Sequence, residues 1–293
     1  MKSADRSLLR IYFGDNLPLL EAMDDSTFRL IYIDPPFNTG RTQRHTRLRT
    51  IADSKSGDRR GFAGKTYRTE ESGTASYDDA FDDFPAFIEP RLRQAHRLLE
   101  RDGVLFFHID CREAHYCKVM LDSIFGRDSF LNEIIWAYDY GARTKKKWPA
   151  KHDTILVYVK DPKDYVFNFD AMDRIPYMAP GLVGVEKAKR GKTPTDVWWH
   201  TIVPTNGAER TGYPTQKPIG ILKRILAVHT HPGDHVLDFF AGSGTTGEAA
   251  AALGRRCTLI DANPQAMHVM LKRLGGWSPQ VVGWDNHDLG MQE

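Results

Sequence analysis

Four residues, Asp34-Pro35-Pro36-Phe37, follow the apolar run Phe28 to Ile33 and describe a grip for a planar amine. A carboxylate and a proline carbonyl can accept both hydrogens of an exocyclic NH2, while an aromatic ring stacks on the base that carries it. Two prolines after a strand also make an ordinary turn that stops the strand, so the tetrapeptide alone leaves both readings open. A second constellation some two hundred residues later bears on the choice.

It runs from His235 to Gly247, His-Val-Leu-Asp-Phe-Phe-Ala-Gly-Ser-Gly-Thr-Thr-Gly, an apolar strand pattern that passes into a glycine turn and then a helical stretch, Glu248 to Leu253. Gly242 and Gly244 allow close backbone approach to a ligand, and the helix start beyond them favours an acidic or polar group. A further apolar segment, Cys257 to Ile260, ends in Asp261, where a nucleotide-type cofactor has its ribose hydroxyls bound. Gly242, Gly244 and Gly247 also fit the dinucleotide fingerprint, and a dehydrogenase would read much the same way. Against NAD, the interval from Gly247 to Asp261 is short, and Asp238 puts a carboxylate where a pyrophosphate would be repelled. S-adenosylmethionine suits the pattern better, with an adenosine for Asp261 and an ammonium for Asp238.

With the amine grip, these residues resemble the beta-class DNA amino-methyltransferases, which methylate adenine N6 or cytosine N4. Most of the chain takes part, in that class's motif order, and Tyr213-Pro-Thr-Gln-Lys-Pro218 with Pro232-Gly233-Asp234 adds to the likeness. The segments Leu98 to Asp110, Leu121 to Gly126 and Asn132 to Trp136 resemble in particular the modification subunits of type III restriction systems, here in a shorter form. The resemblance implies that Asp34 and the Pro35 carbonyl hold the target amine, that Pro36 fixes the turn, and that Phe37 stacks on a flipped base. It assigns Asp15, after Gly14, to the cofactor's adenine and Asp261 to its ribose. Asp238, Phe240, Gly242, Gly244, Thr245 and Thr246 are assigned to the methionine end, with Thr215 and Lys217 nearby, and Asp34 and Ser243 are counted with the cofactor-binding residues. Phe240 also reads as plain core and Lys217 as a solvated charge. Asp at the first position of the grip is the form associated with adenine N6, with cytosine N4 as the alternative; an RNA or protein amide methyltransferase is a more distant one.

Both motifs have to lie at the carboxyl ends of adjacent strands if a methyl donor and an amine are to meet in one crevice. The fold that the resemblance implies is α/β: a doubly wound, mostly parallel sheet with helices on both faces, permuted relative to the usual order. Residues 1–160 and 198–293 form the expected catalytic domain, and 161–197 an inserted target-recognition segment. A stretch of 293 residues, 41% hydrophobic, can bury such a core.

Formal net charge is only +2, so affinity for nucleic acid has to come from local clusters. The stretch Arg41 to Arg68 has an excess of about seven positive charges, Arg41, Arg44, Arg47, Arg59 and Arg60 among them. Lacking apolar periodicity, residues 39–76 read as a mobile basic loop that orders on DNA phosphates, or else as a solvated charged loop. Lys145, Lys146 and Lys147 form a second cluster, and Lys189 and Arg190 belong to a third inside the insert. Trp198-Trp199 reads as packing or as base stacking.

Double-stranded DNA is the implied partner, with a homodimer expected and a restriction subunit left open. Three cysteines, Cys111, Cys117 and Cys257, with no Cys-x-x-Cys pair, suit reduced thiols. His229, His231 and His235 lack the partner set of a metal site, so none is expected. With neither a signal-peptide core nor a run of membrane-spanning length, a cytoplasmic location without membrane contact is the expectation.

Overall fold

Successive side chains of a strand point to opposite faces, and in the central strands both faces are apolar. Leu30, Tyr32, Val104 and Phe106 enter one core, and Ile31, Ile33, Leu105 and Phe107 the other. Strands of this kind need helices on both sides. The computed structural model describes residues 8–38, 81, 83–141, 143–204 and 206–285, together with the backbone of strands at 43–52, 59–60 and 66–77.

In chain order the elements are β1 (Leu9–Phe13), α1 (Asn16–Glu21), β2 (Phe28–Ile33), β3 (Gln43–Ala52), β4 (Arg59–Arg60), β5 (Thr66–Tyr77), α2 (Phe84–Leu98) and β6 (Leu99–Ile109). There follow α3 (Ala114–Phe125), β7 (Phe130–Ala137), β8 (His152–Val159), α4 (Val185–Arg190) and β9 (Val197–Trp199). The last third holds α5 (Ile219–His229), β10 (His235–Asp238), α6 (Thr245–Ala252), β11 (Arg256–Asp261), α7 (Pro264–Leu274) and β12 (Gln280–Val282).

Nine strands form the main sheet in the order β12-β1-β11-β10-β2-β6-β8-β7-β9. All run in one direction except β8, which lies antiparallel to β6 and β7. Helices α5, α6 and α7 cover one face through Ile221, Leu222, Ala249, Ala250, Met267 and Met270. Helices α2 and α3 cover the other through Ile88, Leu92, Cys117 and Leu121. This is the expected doubly wound sheet.

The pairing that matters for chemistry is β10 with β2, Val236 opposite Leu30 and Leu237 opposite Ile31. Because these neighbours are parallel, Asp34 and Asp238 leave the sheet at the same end. Asp261 ends β11 beside them, and Gly14, just past β1, donates its N–H to the Asp261 carbonyl at 3.1 Å.

The stretch read as a mobile basic loop, 39–76, contains paired strands. Residues of β3 and β5 pair antiparallel from Gln43 opposite Tyr77 to Ala52 opposite Tyr67, and β4 adds a short third strand. Threonines, tyrosine and isoleucine among the charges favour extended backbone, and cross-strand hydrogen bonds need no apolar period. Residues 39–42, 53–58 and 61–65, Arg41 included, lie outside the described residues. The base of this ribbon is pinned by Asn38, whose amide donates to Glu113 Oε1 at 2.9 Å and accepts from the Phe81 N–H at 3.0 Å.

Residues 161–197 contain α4 and short turns rather than a further layer. They are tied to α5 by the Asn168 N–H on the Val228 carbonyl (2.7 Å) and by Arg224 on Asp173 (2.5 Å).

Candidate active site

The carboxyl ends of β1, β2, β10 and β11 open into a cavity of about 380 Å³. Asp15, Asp34, Pro35, Pro36, Phe37, Thr215, Lys217, Asp238, Phe240, Gly242, Ser243, Thr245, Thr246 and Asp261 all line it. Residues from both ends of the sequence and from the Tyr213–Pro218 segment thus meet in one place, as the motif pairing requires.

Three carboxylates converge here. Asp238 is buried; its Oδ2 accepts from the Thr246 hydroxyl at 2.6 Å and its Oδ1 from the Phe240 N–H at 3.1 Å. Burial pushes its pKa up to about 7, and the nearby charges of Asp34 and Asp261 add to the rise against those two hydrogen bonds. Asp261 takes the Gly242 N–H on Oδ2 (2.7 Å) and the Asn263 N–H on Oδ1 (2.8 Å). Burial raises it to about 6. Asp34 Oδ2 meets the Lys217 ammonium at 2.7 Å, whereas Asp34 Oδ1 is buried with no hydrogen-bond partner among the described residues. The ammonium also stands 4.7 Å from the centre of the Phe37 ring.

The glycine turn is locked from behind. Gly242 has φ +50° and its Cα faces Tyr213, whose Cε1 would lie 3.2 Å from an added Cβ. Gly244 is the exception among the expected cofactor residues: it does not line the cavity. At φ +73° it opens α6, and a Cβ there would lie 2.9 Å from Met270 Cγ on α7. Its smallness serves helix packing. Gly244→Ala is expected to cost about 1–3 kcal/mol of stability in chemical denaturation, from the left-handed backbone and the crowding of Met270.

Several groups lining or supporting the cavity carried no motif signal. Arg91, on α2, donates to Asn16 Oδ1 (2.6 Å) and Asp15 Oδ1 (3.0 Å) and stacks on Phe87 at 4.0 Å. Asp15 thus caps α1 and holds Arg91, in addition to facing the cavity. Arg273 reaches from α7 to the Thr245 hydroxyl (2.8 Å) and to Glu248, fixing the start of α6. Beneath Phe37 lies a buried chain: the Tyr32 hydroxyl meets His108 Nδ1 at 2.8 Å, His108 Nε2 meets Asp153 at 3.1 Å, and Tyr138 donates to Asp153 at 2.9 Å. Burial, then the charges of Asp34, Asp238 and Asp153, hold the Tyr32 phenol well above its usual value, so it remains a donor. Asp153, on β8, and Tyr138, just past the end of β7, are brought to Tyr32 only by the sheet.

The expected DNA contacts lie elsewhere. Lys145, Lys146 and Lys147 are exposed in the β7–β8 loop. Since β8 begins where β6 ends, Thr154 opposite Ile109, that loop emerges at the cavity's end of the sheet. Lys189 and Arg190 are exposed on the last turn of α4. Arg44 and Arg47 are on β3, and Arg59 and Arg60 on β4, with side chains outside the described residues. The tryptophan pair divides: Trp198 is buried, donating to the Thr195 carbonyl at 2.9 Å, and Trp199 is 76% exposed.

A family model described as DNA methylase, for N6 and N4 methylation, matches residues 28–272. The chain belongs to this DNA methylase family. The methylase is 29% identical over 277 residues to the DNA adenine methyltransferase YhdJ of Escherichia coli (strain K12), covering 90% of this chain and 82% of that protein. To the type II methyltransferase M.HpaI of Haemophilus parainfluenzae it is 25% identical, over 97% of this chain and 78% of that one. Two solved structures share the fold: the M1.HpyAVI complex with S-adenosylmethionine, and the PvuII DNA methyltransferase described as cytosine-N4-specific. The first has TM-score 0.57 and 19% identity, over 90% of this chain and 98% of that one. The second has TM-score 0.61 and 14% identity, over 94% and 86%.

S-adenosylmethionine is the methyl donor of this family, and the methylase's own residues fit it. Three neighbouring carboxylates, two of them with raised pKa, favour a ligand carrying positive charge and disfavour a pyrophosphate. Among the described residues no helix is long and apolar enough to cross a membrane.

Proposed function

We propose that this methylase acts on N6 of adenine in duplex DNA, on a base turned out of the helix into the cavity, with cytosine N4 as the alternative acceptor. The observation that carries the reading is Asp34 Oδ1, buried with no hydrogen-bond partner among the described residues, in the same cavity as Phe37, Asp238 and Asp261. An exocyclic amine offers the N–H that such an oxygen lacks. Asp as the first residue of the grip supports adenine, as does likeness to a relative named for adenine methylation.

Bound in the cavity, S-adenosylmethionine supplies a methyl group on a positively charged sulfur. Asp238 and Thr246 would hold its ammonium, Asp261 its ribose hydroxyls, and Asp15 its adenine side. Thr215, Phe240, Gly242, Ser243 and Thr245 would shape the remaining wall. The amine of a base is a poor nucleophile because its lone pair is shared with the ring. Hydrogen bonds to Asp34 and to the Pro35 carbonyl draw that nitrogen toward a tetrahedral geometry and stabilise the charge it gains. Pro36 fixes the turn, and Phe37 stacks on the base so that the nitrogen is held in line. The methylated amine is acidic, so Asp34 or water can take its proton.

A base inside the duplex cannot reach Asp34, hence the extrusion. Lys145, Lys146 and Lys147 would meet phosphates beside the cavity. Lys189, Arg190 and the arginines of the 39–76 stretch (Arg41, Arg44, Arg47, Arg59 and Arg60) would add to that contact, with 161–197 reading the sequence. The test is to incubate the protein with unmethylated genomic DNA and isotopically labelled S-adenosylmethionine, then identify the labelled nucleoside by mass spectrometry. N6-methyladenine is the expected product. N4-methylcytosine would overturn the base assignment alone, and label in RNA or protein would overturn the DNA reading.

A further inference from the structure

The Lys217 ammonium stands where the target base is expected: it donates to Asp34 Oδ2 at 2.7 Å, beside the Oδ1 left for the amine, and lies over the Phe37 ring at 4.7 Å. Base and ammonium therefore compete for one carboxylate group and for the Phe37 ring. Lys217 is 8% exposed, and its backbone carbonyl is held by the Thr245 hydroxyl at 3.3 Å, so its main chain is fixed to the glycine turn. Its four-carbon stem leaves the charged end free to move. Thr215, two residues earlier, has φ +60°, an uncommon conformation for threonine that aims this segment into the cavity.

Among the described residues lining the cavity, the cations are Lys217 and Arg91. Arg91 is committed to Asp15 and Asn16. An amino-acid end bound here brings a carboxylate as well as an ammonium; Asp238 suits the ammonium, and Lys217 is the cation left for the carboxylate. A buried ion pair gains little net energy over an equally good alternative pairing, so exchange of partners is inexpensive.

We propose that Lys217 is a gate on Asp34. In the free protein its ammonium closes the amine grip; the carboxylate of the methyl donor draws it away, and Asp34 then accepts the base. Donor binding thereby prepares base binding, and the two are reciprocally coupled. This inference rests on the DNA methylation proposed above.

The test uses a duplex carrying 2-aminopurine beside the target adenine mapped by the methylation assay, whose fluorescence rises when its neighbour leaves the stack. With the full protein, S-adenosylhomocysteine is expected to raise the signal. Methylthioadenosine, which lacks the amino-acid end, leaves it at the ligand-free level even at saturation. In Lys217→Met the signal rises without any ligand, while S-adenosylhomocysteine binds about tenfold more weakly and methylthioadenosine binds unchanged. Nζ resonances of 15N-lysine-labelled protein give a second readout that needs no variant: S-adenosylhomocysteine shifts the Lys217 signal, methylthioadenosine does not. A wild-type signal that rises equally with methylthioadenosine, or with no ligand, overturns the gate while methylation stands. No methyl transfer to DNA at all overturns the reaction, and the gate with it.

Discussion

Asp34→Ala is expected to lower the rate constant for methyl transfer by about a thousandfold, the scale of removing a group aimed at charge that develops in the transition state. The effect is large because the carboxylate is sheltered and its Oδ1 has no other partner among the described residues. Asp34→Asn keeps a hydrogen-bond acceptor but loses the negative charge, and about a hundredfold loss is expected. Both changes leave Asp15, Asp238 and Asp261 in place, so affinity for S-adenosylmethionine should fall by no more than about threefold. Single-turnover transfer of labelled methyl to DNA, with donor affinity from titration calorimetry, separates the two quantities. An Asp34→Ala protein with wild-type single-turnover rate would remove Asp34 from the mechanism.

The second large effect lies at Asp238. Its pKa of about 7 means that the free protein holds this carboxyl largely protonated below neutrality, and burial is the main cause. A cationic ligand favours the ionised form, so binding expels a proton and affinity climbs with pH. Between pH 5.5 and pH 7 the affinity for S-adenosylmethionine is expected to rise about tenfold. Calorimetry in buffers of different ionisation enthalpy should register the released proton. Asp238→Asn should weaken binding about a hundredfold and remove most of that pH dependence, leaving what belongs to Asp261, at about 6. A pH-independent affinity in the wild type would show that no cation meets Asp238.

The same shift acts on stability with a definite sign. A carboxyl whose folded pKa is raised contributes stability that is complete below its unfolded value, about 4, and lost as pH rises through about 7. The ligand-free protein should therefore lose stability across that window, and Asp238→Asn should lose less.

Order and identity of the chemical motifs were legible in the chain. Asp34-Pro35-Pro36-Phe37 and the glycine turn after Asp238 each follow an apolar strand, and residue type alone suggested an amine acceptor and a cationic ligand. The doubly wound sheet followed from those apolar runs, since strands buried on both faces need helices on both. The strands at 43–52, 59–60 and 66–77 were not legible, because an antiparallel ribbon rests on cross-strand hydrogen bonds and leaves no apolar period behind. Gly244 was grouped with Gly242 because a glycine that admits a ligand and one that admits Met270 look alike in sequence.

What the sequence determined, then, was local: which residues could accept an amine, repel a phosphate or turn the backbone. Tertiary structure decided how those residues are paired and charged. Adjacency of β2 and β10 brings Asp34 to Asp238 across some two hundred residues, and burial turns Asp238 from an ordinary carboxylate into one with a pKa of about 7. Lys217 on Asp34, Arg91 on Asp15 and the Tyr32–His108–Asp153 chain are likewise products of folding. Spacing along a chain constrains neighbours in sequence, whereas distances of 3 Å between remote side chains, and the low dielectric that makes them matter, exist only once the sheet has closed its two cores.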